Sequence, residues 1–233
     1  MGKTARIVAG TSIVLAPLTI GIGDQVRMVA DPPASRGAGG YGVEQAAASL
    51  ASINANRPAF LAASYLIYLA MLLSIPALLA IWRLSVDRAP RWAWTGAVLA
   101  TLYALGQAVH LAGYNAMSLV FSAHHDLDSA AEILVAGDSE PFLIALFAPL
   151  YLIGLLGVIP QAIGLRRARI IPLWAPIAVT AGLVPFLVLG STPLVSALST
   201  TLIVVGLAPA ALTMLGHQTQ PTPATATRAA ATA

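Results

Sequence analysis

The chain has no cysteine and a single lysine, and charged residues of any kind make up 9% of its 233 positions. Without cysteine there is no disulfide, no thiolate metal site and no cysteine nucleophile, and no redox compartment can be read. Soluble domains carry roughly 25% charge, and a chain this long could not cover its surface in water with so little. Motifs are scarce as well. There is no phosphate-binding glycine loop, no Gly-x-Ser-x-Gly elbow and no His-Glu-x-x-His. Gly21-x-Gly23 lacks the strand-turn-helix setting of a dinucleotide fingerprint.

What remains is hydrophobe, 58% of the chain. Uncharged runs occupy residues 7–23, 58–82, 92–123, 141–165 and 170–216. Crossing the hydrocarbon core takes roughly 20 residues of helix, so the first four runs hold one span each. The last holds two, with Gly190-Ser191-Thr192-Pro193 as the turn. The expectation is an all-α integral membrane protein, a six-transmembrane-helix bundle with spans at about 7–26, 58–82, 92–121, 141–165, 170–189 and 194–215. Lys3 and Arg6 ahead of an apolar run resemble a signal peptide, but the run is long and Met28 occupies a position where cleavage after Ala30 needs a small residue. The first span is therefore expected to stay.

Charge sorting sets the orientation. With the N-terminus inside, nine of the twelve basic residues are cytoplasmic: Lys3, Arg6, Arg83, Arg88, Arg91, Arg166, Arg167, Arg169 and Arg228. Of the nine acids only Asp87 joins them. Basic inner loops orient a membrane protein, which puts both termini in the cytoplasm. The net charge of +3 sits singly at helix ends, so nucleic acid is not an expected partner. Eleven arginines to one lysine, with abundant alanine and glycine, point to a high-GC bacterial genome and hence to the plasma membrane.

One domain, residues 1–216, is expected, with a disordered cytoplasmic tail at 217–233 rich in Thr, Ala and Pro. Two outer stretches read as short surface helices. Val43, Ala46, Ala47, Leu50 and Ile53 share one helical face, after a Gly/Pro-rich piece from Asp31 to Gly42. Ser129-Ala130-Ala131-Glu132 has a capping-box pattern ahead of Ile133 and Leu134. Both are expected to lie apolar face down on the membrane. The even-numbered spans echo one another, each with a proline in its inner half (Pro76, Pro160, Pro209), as duplicated helix pairs or as compositional likeness.

The third span is the least apolar. Tyr103, Gln107, His110 and Tyr114 are spaced four, three and four, so they share a face, and Asn115 and Ser118 continue the polar character. Such a stripe avoids lipid and points into the bundle, either as interhelical hydrogen-bonding glue or as the wall of a ligand pocket. Tyr65, Tyr68 and Tyr151 are candidates to complete that pocket. Asp24 and Arg27 at the end of the first span read as an i, i+3 ion pair, or as a proton donor at the pocket mouth. Only His110 among titratable groups is expected well inside the bilayer. His124-His125-Asp126-Leu127-Asp128 has metal-ligand residue types but no metal-site spacing, so no metal and no cofactor is expected.

The opening Thr4-Ala5-Arg6-Ile7-Val8-Ala9-Gly10 resembles the start of an uncharacterised family of small polytopic bacterial membrane proteins, a domain of unknown function. Members carry a Thr-Ala-Arg-Ile-Ala-Gly-like opening before span one and an Ala-rich outer helix, like residues 44–54 here, before span two. This chain adds a valine to the opening and lengthens the Gly/Pro outer loop. The resemblance implies a polytopic membrane fold and no particular activity.

Three functions fit this pattern. The leading one is binding or moving a small, largely apolar molecule in a pocket bordered by Tyr103, Gln107, His110, Tyr114 and Asn115. The second is a membrane-embedded acid–base enzyme on a lipid or isoprenoid-like substrate, with His110, Asp24 and the tyrosines as actors. The third is an accessory subunit, in an oligomer or a larger membrane complex, docking through small residues such as Gly154 and Gly157.

Overall fold

The computed structural model describes residues 2–32, 42–190 and 192–216. The expected tail at 217–233 and most of the Gly/Pro-rich outer piece lie outside them. The described residues are all helical: α1 (Lys3–Ala30), α2 (Val43–Ala55), α3 (Arg57–Ser85), α4 (Pro90–His110), a π-helical turn π1 (Leu111–Ala116), α5 (Met117–Phe121), α6 (Leu127–Ser139), α7 (Pro141–Ala148), a second π-turn π2 (Pro149–Ile153), α8 (Val158–Arg167), α9 (Trp174–Leu189) and α10 (Pro193–Gly216). Five helical stretches are long and apolar enough to cross a membrane: α1, α3, α4 through α5, π2 through α8, and α10.

The remaining expected span is short. Arg169 adopts a positive φ of 60° and Pro172 comes three residues later, so helix cannot run through residues 170–173, and α9 begins at Trp174. Its 16 residues reach about 24 Å, less than the ~30 Å hydrocarbon core. Gly190, at φ 72°, ends it where the sequence suggests a turn.

The helices form a ring. α1 packs on α3 and α10, α10 on α9, α9 on α8, α8 on α4, and α4 back on α3. Ile13 shares a cluster with Ala77 and Ile81, while Gly23 abuts Ala63 and Ile67, so α1 and α3 are antiparallel. The Ser85–Pro90 turn makes α3 and α4 antiparallel too, leaving α1 and α4 parallel. We call the end that carries α2 and α6 the lid end and the opposite, arginine-rich end the basic end. A cluster of buried apolar side chains lies near the basic end, where Ile13, Ile81, Leu165, Val179, Leu207 and Met214 meet.

Many hydroxyls in the long helices are satisfied locally, whereas those of Ser12, Ser118 and Ser199 are buried with no hydrogen-bond partner among the described residues. The hydroxyls of Thr19, Ser64, Ser74, Thr101, Thr180 and Thr201 each donate to the carbonyl four residues back, an economical arrangement where no water is available. Large apolar side chains point outward around the ring, among them Ile75, Leu79, Ile177, Val188, Leu194 and Leu212. A surface of that kind suits lipid, not water. Trp82, Trp92, Trp94 and Trp174 all fall at the basic end, where Arg167 lies 5.6 Å above the Trp92 ring. Tryptophan gathers at such membrane–water boundaries.

The two short helices find each other. The face of α2 carrying Ala46 and Leu50 packs against Ala130, Ala131 and Leu134 of α6, while Ile53 of α2 packs with Ala30 and Phe60. The start of α6 differs from the Ser129 expectation. Asp126 is its N-cap and accepts from the backbone N–H and the hydroxyl of Ser129, which leaves Ser129 inside the first turn. An aspartate three residues upstream of the serine offers the stronger acceptor, and the helix starts there.

Candidate functional site

A cavity of about 410 Å³ runs inside the ring. Along α1 it extends from Ile13 to Arg27, about 20 Å at ~1.5 Å per residue. Toward the basic end its wall is mostly apolar, with Ile13, Ile81, Val158, Leu183, Ile203 and Leu207, and the polar side chains there, Ser74 and Gln161, donate to the Ala70 and Gly96 carbonyls. Toward the lid end it is lined by Asp24, Arg27, Tyr103, Gln107, His110, Tyr114, Tyr151 and Ser196. The gradient is therefore lengthwise, greasy at one end and polar at the other.

Four of the five expected pocket residues line this cavity: Tyr103, Gln107, His110 and Tyr114. Gln107 is 94% buried, and its amide N donates to the Tyr103 hydroxyl at 2.6 Å. His110 stacks on Tyr114 at 5.1 Å between ring centroids, with planes 8° apart. Asn115 turns away. Its amide donates to Ser64 Oγ at 3.0 Å, tying π1 to α3. Of the three tyrosines expected to complete the pocket, only Tyr151 does, 5.4 Å from the Tyr103 ring and 6.1 Å from His110. Tyr65 and Tyr68 are exposed on the outer face of α3, because its buried face is the Ala63, Ile67, Ala70 and Ala77 stripe.

The two π-turns bear on this geometry. π1 succeeds His110 and carries Tyr114, while π2 carries Tyr151, so both flank the polar end. An extra residue in a helical turn rotates the downstream helix and re-aims its side chains, and such turns gather at functional sites. Glycines let the backbones come close: a β-carbon on Gly106 would sit 2.7 Å from the Tyr151 amide nitrogen, and one on Gly157 2.7 Å from that of Ala100. Gly154 is equally tight against the Tyr103 backbone. Gly154 and Gly157, named in the sequence as small residues for docking a partner, lie against α4 of the same chain.

The ion pair of Asp24 and Arg27 forms as its spacing suggests, at 2.8 Å. The helix does not stop there. α1 continues to Ala30, so both side chains lie on a helical wall of the cavity, and Asp24 also accepts from Ser196 of α10 at 2.7 Å. Asp24 and Arg27 thus join His110 as titratable groups on the cavity wall. Asp31, at the C-cap of α1 and fully buried, accepts from Ser49 of α2 at 2.6 Å and from Tyr114 at 2.8 Å, and lies 3.6 Å from Arg27. Asp24, Arg27 and Asp31 stand three and four apart, one face of a helix. That signal is in the sequence and is missed if the helix is ended at the last apolar residue.

The His124 cluster stays outside. The His124 and His125 rings lie 4.4 Å apart, and His124 Nδ1 meets the backbone of Asp126. Among the described residues no three His, Asp or Glu side chains converge as a metal site would require. The Asp126 carboxyl is held below its ordinary range, chiefly by the Ser129 hydroxyl and then by the Ser129 N–H.

Comparison with protein-family models, with curated proteins and with solved structures gives no match, so the site is read from its own geometry.

Proposed function

We propose that the chain is a six-span protein of the plasma membrane, both termini cytoplasmic, whose bundle binds or moves a small, largely apolar molecule. The observation that carries the reading is the cavity: about 410 Å³, within the ~300–1,000 Å³ usual for ligand sites, apolar along most of its length and polar at one end. In this topology α9 is the fifth of the six spans, thinned at its basic end by the Arg169–Leu173 turn, and the lid end faces outward. The basic end carries Arg83, Arg88, Arg91, Arg166, Arg167 and Arg169, which favours that end as cytoplasmic.

Two measurements test this. A native mass spectrum of the full chain extracted with its lipids should retain one adduct of discrete mass; a bare chain in every neutral detergent tried would overturn the binding reading. A cysteine at Ser129 should react with an impermeant thiol reagent applied outside, and one at Asp87 should not; the reverse pattern would overturn the topology.

Asp24 and His110 on the same cavity favour one second reading, an acid–base enzyme on a lipid or isoprenoid-like substrate. It predicts that the retained molecule is chemically converted over time, and that His110→Ala stops conversion while the adduct persists.

A further inference from the structure

The ring is not equally tight all the way round, and its loosest seam bears on how a ligand reaches the cavity. In the lid half the neighbours are fastened pair by pair. Asp24 accepts from Ser196, and the Gln25 amide donates to the Pro193 carbonyl at 2.7 Å, which holds α1 to α10. Gly23 abuts Ala63 and Ile67 between α1 and α3, and Asn115 donates to Ser64 between π1 and α3. Gly106 lies against the Tyr151 backbone and Gly154 against that of Tyr103, which presses π2 and the residues after it onto α4. Gly182 meets the Ser199 carbonyl, and Gly206 meets Ala175 and Val179, which clamps α9 onto α10.

These close approaches draw the two walls of the remaining seam apart, π2 toward α4 and α9 toward α10. At the basic end the seam is shut, because Ala162 and Leu165 of α8 share a buried cluster with Ala175 and Val179 of α9. In the lid half no packed interface joins π2 or α7 to α9 or α10 among the described residues. The cavity reaches this gap from within: Tyr151 and Leu155 line it on one side, Leu183 and Phe186 on the other. Its rims carry the exposed apolar side chains of Leu152, Leu156, Val184 and Leu187. Pro185 lies inside α9 at the same level and cannot donate the backbone hydrogen bond of its turn, so this stretch bends more easily than unbroken helix.

Both ends of the long axis are occupied by side chains. Beyond Ile13 and Leu207 toward the basic end, Ala9, Ala210, Ala211 and Met214 pack in one buried cluster. One turn beyond Arg27 toward the lid, the buried Asp31 carboxylate accepts from Ser49 and Tyr114. A ligand coming from water past the lid must part those bonds and leave a buried carboxylate short of donors. One that comes from the hydrocarbon passes apolar rims and never leaves an apolar medium.

We infer that the ligand of this cavity is a compound already dissolved in the bilayer, a lipid or a lipid-like molecule, and that it enters sideways between π2 and the lid half of α9. The inference rests on the proposed binding reading and adds to it the phase that supplies the ligand and the path it takes.

The test uses one thiol and two reagents. The chain has no cysteine, so Ser199→Cys places a single thiol on the cavity wall, and the Ser199 hydroxyl has no hydrogen bond among the described residues to lose. The full-length protein in phosphatidylcholine nanodiscs is treated with N-dodecylmaleimide, which dissolves in the bilayer, or with a trimethylammonioethyl maleimide, which stays in water. Labelling is followed by mass, with the unfolded protein as the reference for complete reaction. The dodecyl reagent should react at least about tenfold faster, a difference of about 1.4 kcal/mol in barrier. Leu155→Trp adds bulk at the seam and should slow the dodecyl reagent by about tenfold. Leu78→Trp puts the same bulk on the α3 wall of the cavity and should slow it less. A charged reagent as fast as the dodecyl one, no labelling by the dodecyl reagent, or equal slowing by the two tryptophans would overturn the lateral path. A discrete adduct retained in the native mass spectrum would then still support the cavity as a binding site, whereas a bare chain counts against binding itself. The comparison of reagents on Ser199→Cys alone decides between lipid and water if a tryptophan variant fails to fold.

Discussion

The Tyr114 hydroxyl donates to Asp31 Oδ2 at 2.8 Å, joining residues 83 positions apart. One stands in a π-turn of the third long helical stretch and the other caps α1. Ser49 of α2 donates to the other oxygen of the same carboxylate at 2.6 Å. Asp31 therefore ties the lid, the cavity wall and the Arg27 ion pair together. Because it is fully buried, each donor offsets part of a large desolvation cost. Tyr114→Phe removes one donor and keeps the ring. It should lower stability by about 1.5–3 kcal/mol, the usual worth of a hydrogen bond to a charged group. Thermal unfolding in detergent reads this, and an unchanged midpoint would mean that water or another donor takes over the bond.

The glycine contacts between α4 and the segmented stretch from Pro141 to Arg167 predict a steric effect. Gly157→Ala places a carbon 2.6 Å from Leu99 Cβ and 2.7 Å from the Ala100 nitrogen. Backbone cannot yield as a flexible side chain would, so the helices must separate at a cost of about 1–3 kcal/mol. Gly113→Ala is the control, since nothing lies within 4 Å of its β-carbon. Equal melting of the two variants would contradict the close packing.

Much of this architecture is legible from composition and spacing. The long helices arise from uncharged runs, the Tyr103-to-Tyr114 face from a period of 3.6, and α2 from its stripe of Val43, Ala46, Leu50 and Ile53. The features that escape the sequence do so for specific causes. Charge reads as the end of the first helix, yet hydrogen-bonded helix continues through Asp24 and Arg27 because Ser196 and Asp31 satisfy them. Nothing in residues 111–116 or 149–153 marks a π-turn, since an added backbone residue leaves no compositional trace. Tyr65 and Tyr68 match Tyr151 in type, and only the choice of buried face on α3 separates them.

The basic residues are not all alike. Arg88 donates to the Ala168 carbonyl at 3.0 Å and so ties the two turns of the basic end, at residues 86–89 and 168–173. Arg83 makes no comparable bond among the described residues. Arg83→Lys should leave stability unchanged, because lysine preserves the positive charge of the turn. Arg88→Ala should cost about 0.5–1.5 kcal/mol through the lost hydrogen bond. Chemical denaturation of both variants decides the point, and matched curves would reduce Arg88 to a bearer of charge.

Asp126 gives a pH dependence of known sign. Its carboxyl is held below the ordinary value near 3.8, first by the Ser129 hydroxyl and then by the Ser129 N–H. A group whose folded value is depressed lends stability that is present above its unfolded value. That contribution fades as pH falls through the depressed folded value. Exchange of the Ser129 amide, corrected for its intrinsic pH dependence, should therefore speed up as pH drops below about 3.8. Asp126→Asn keeps an oxygen acceptor without a titrating group and should flatten the profile. A profile that persisted in the asparagine variant would assign the effect to another carboxylate.

His110 separates packing from recognition. Its ring lies parallel to Tyr114 at 5.1 Å and also lines the cavity beside Tyr151. If it serves only to pack, His110→Ala should cost stability, about 0.5–1.5 kcal/mol for the aromatic pair and more for the space left behind, and leave ligand retention unchanged. If it belongs to the binding wall, the same change should abolish the retained adduct with little loss of stability. The residue already borders an open cavity, so its removal creates no new void in a packed core. His110→Phe sharpens the contrast, because it restores the stacked ring without the imidazole nitrogens. We expect His110→Ala to lose the adduct and His110→Phe to keep the melting midpoint while recovering binding only to the extent that an aromatic face suffices. Thermal unfolding and native mass spectra of the three proteins, run side by side, give both readouts. Full retention of the adduct in His110→Ala with a lowered midpoint would return this residue to the role of packing.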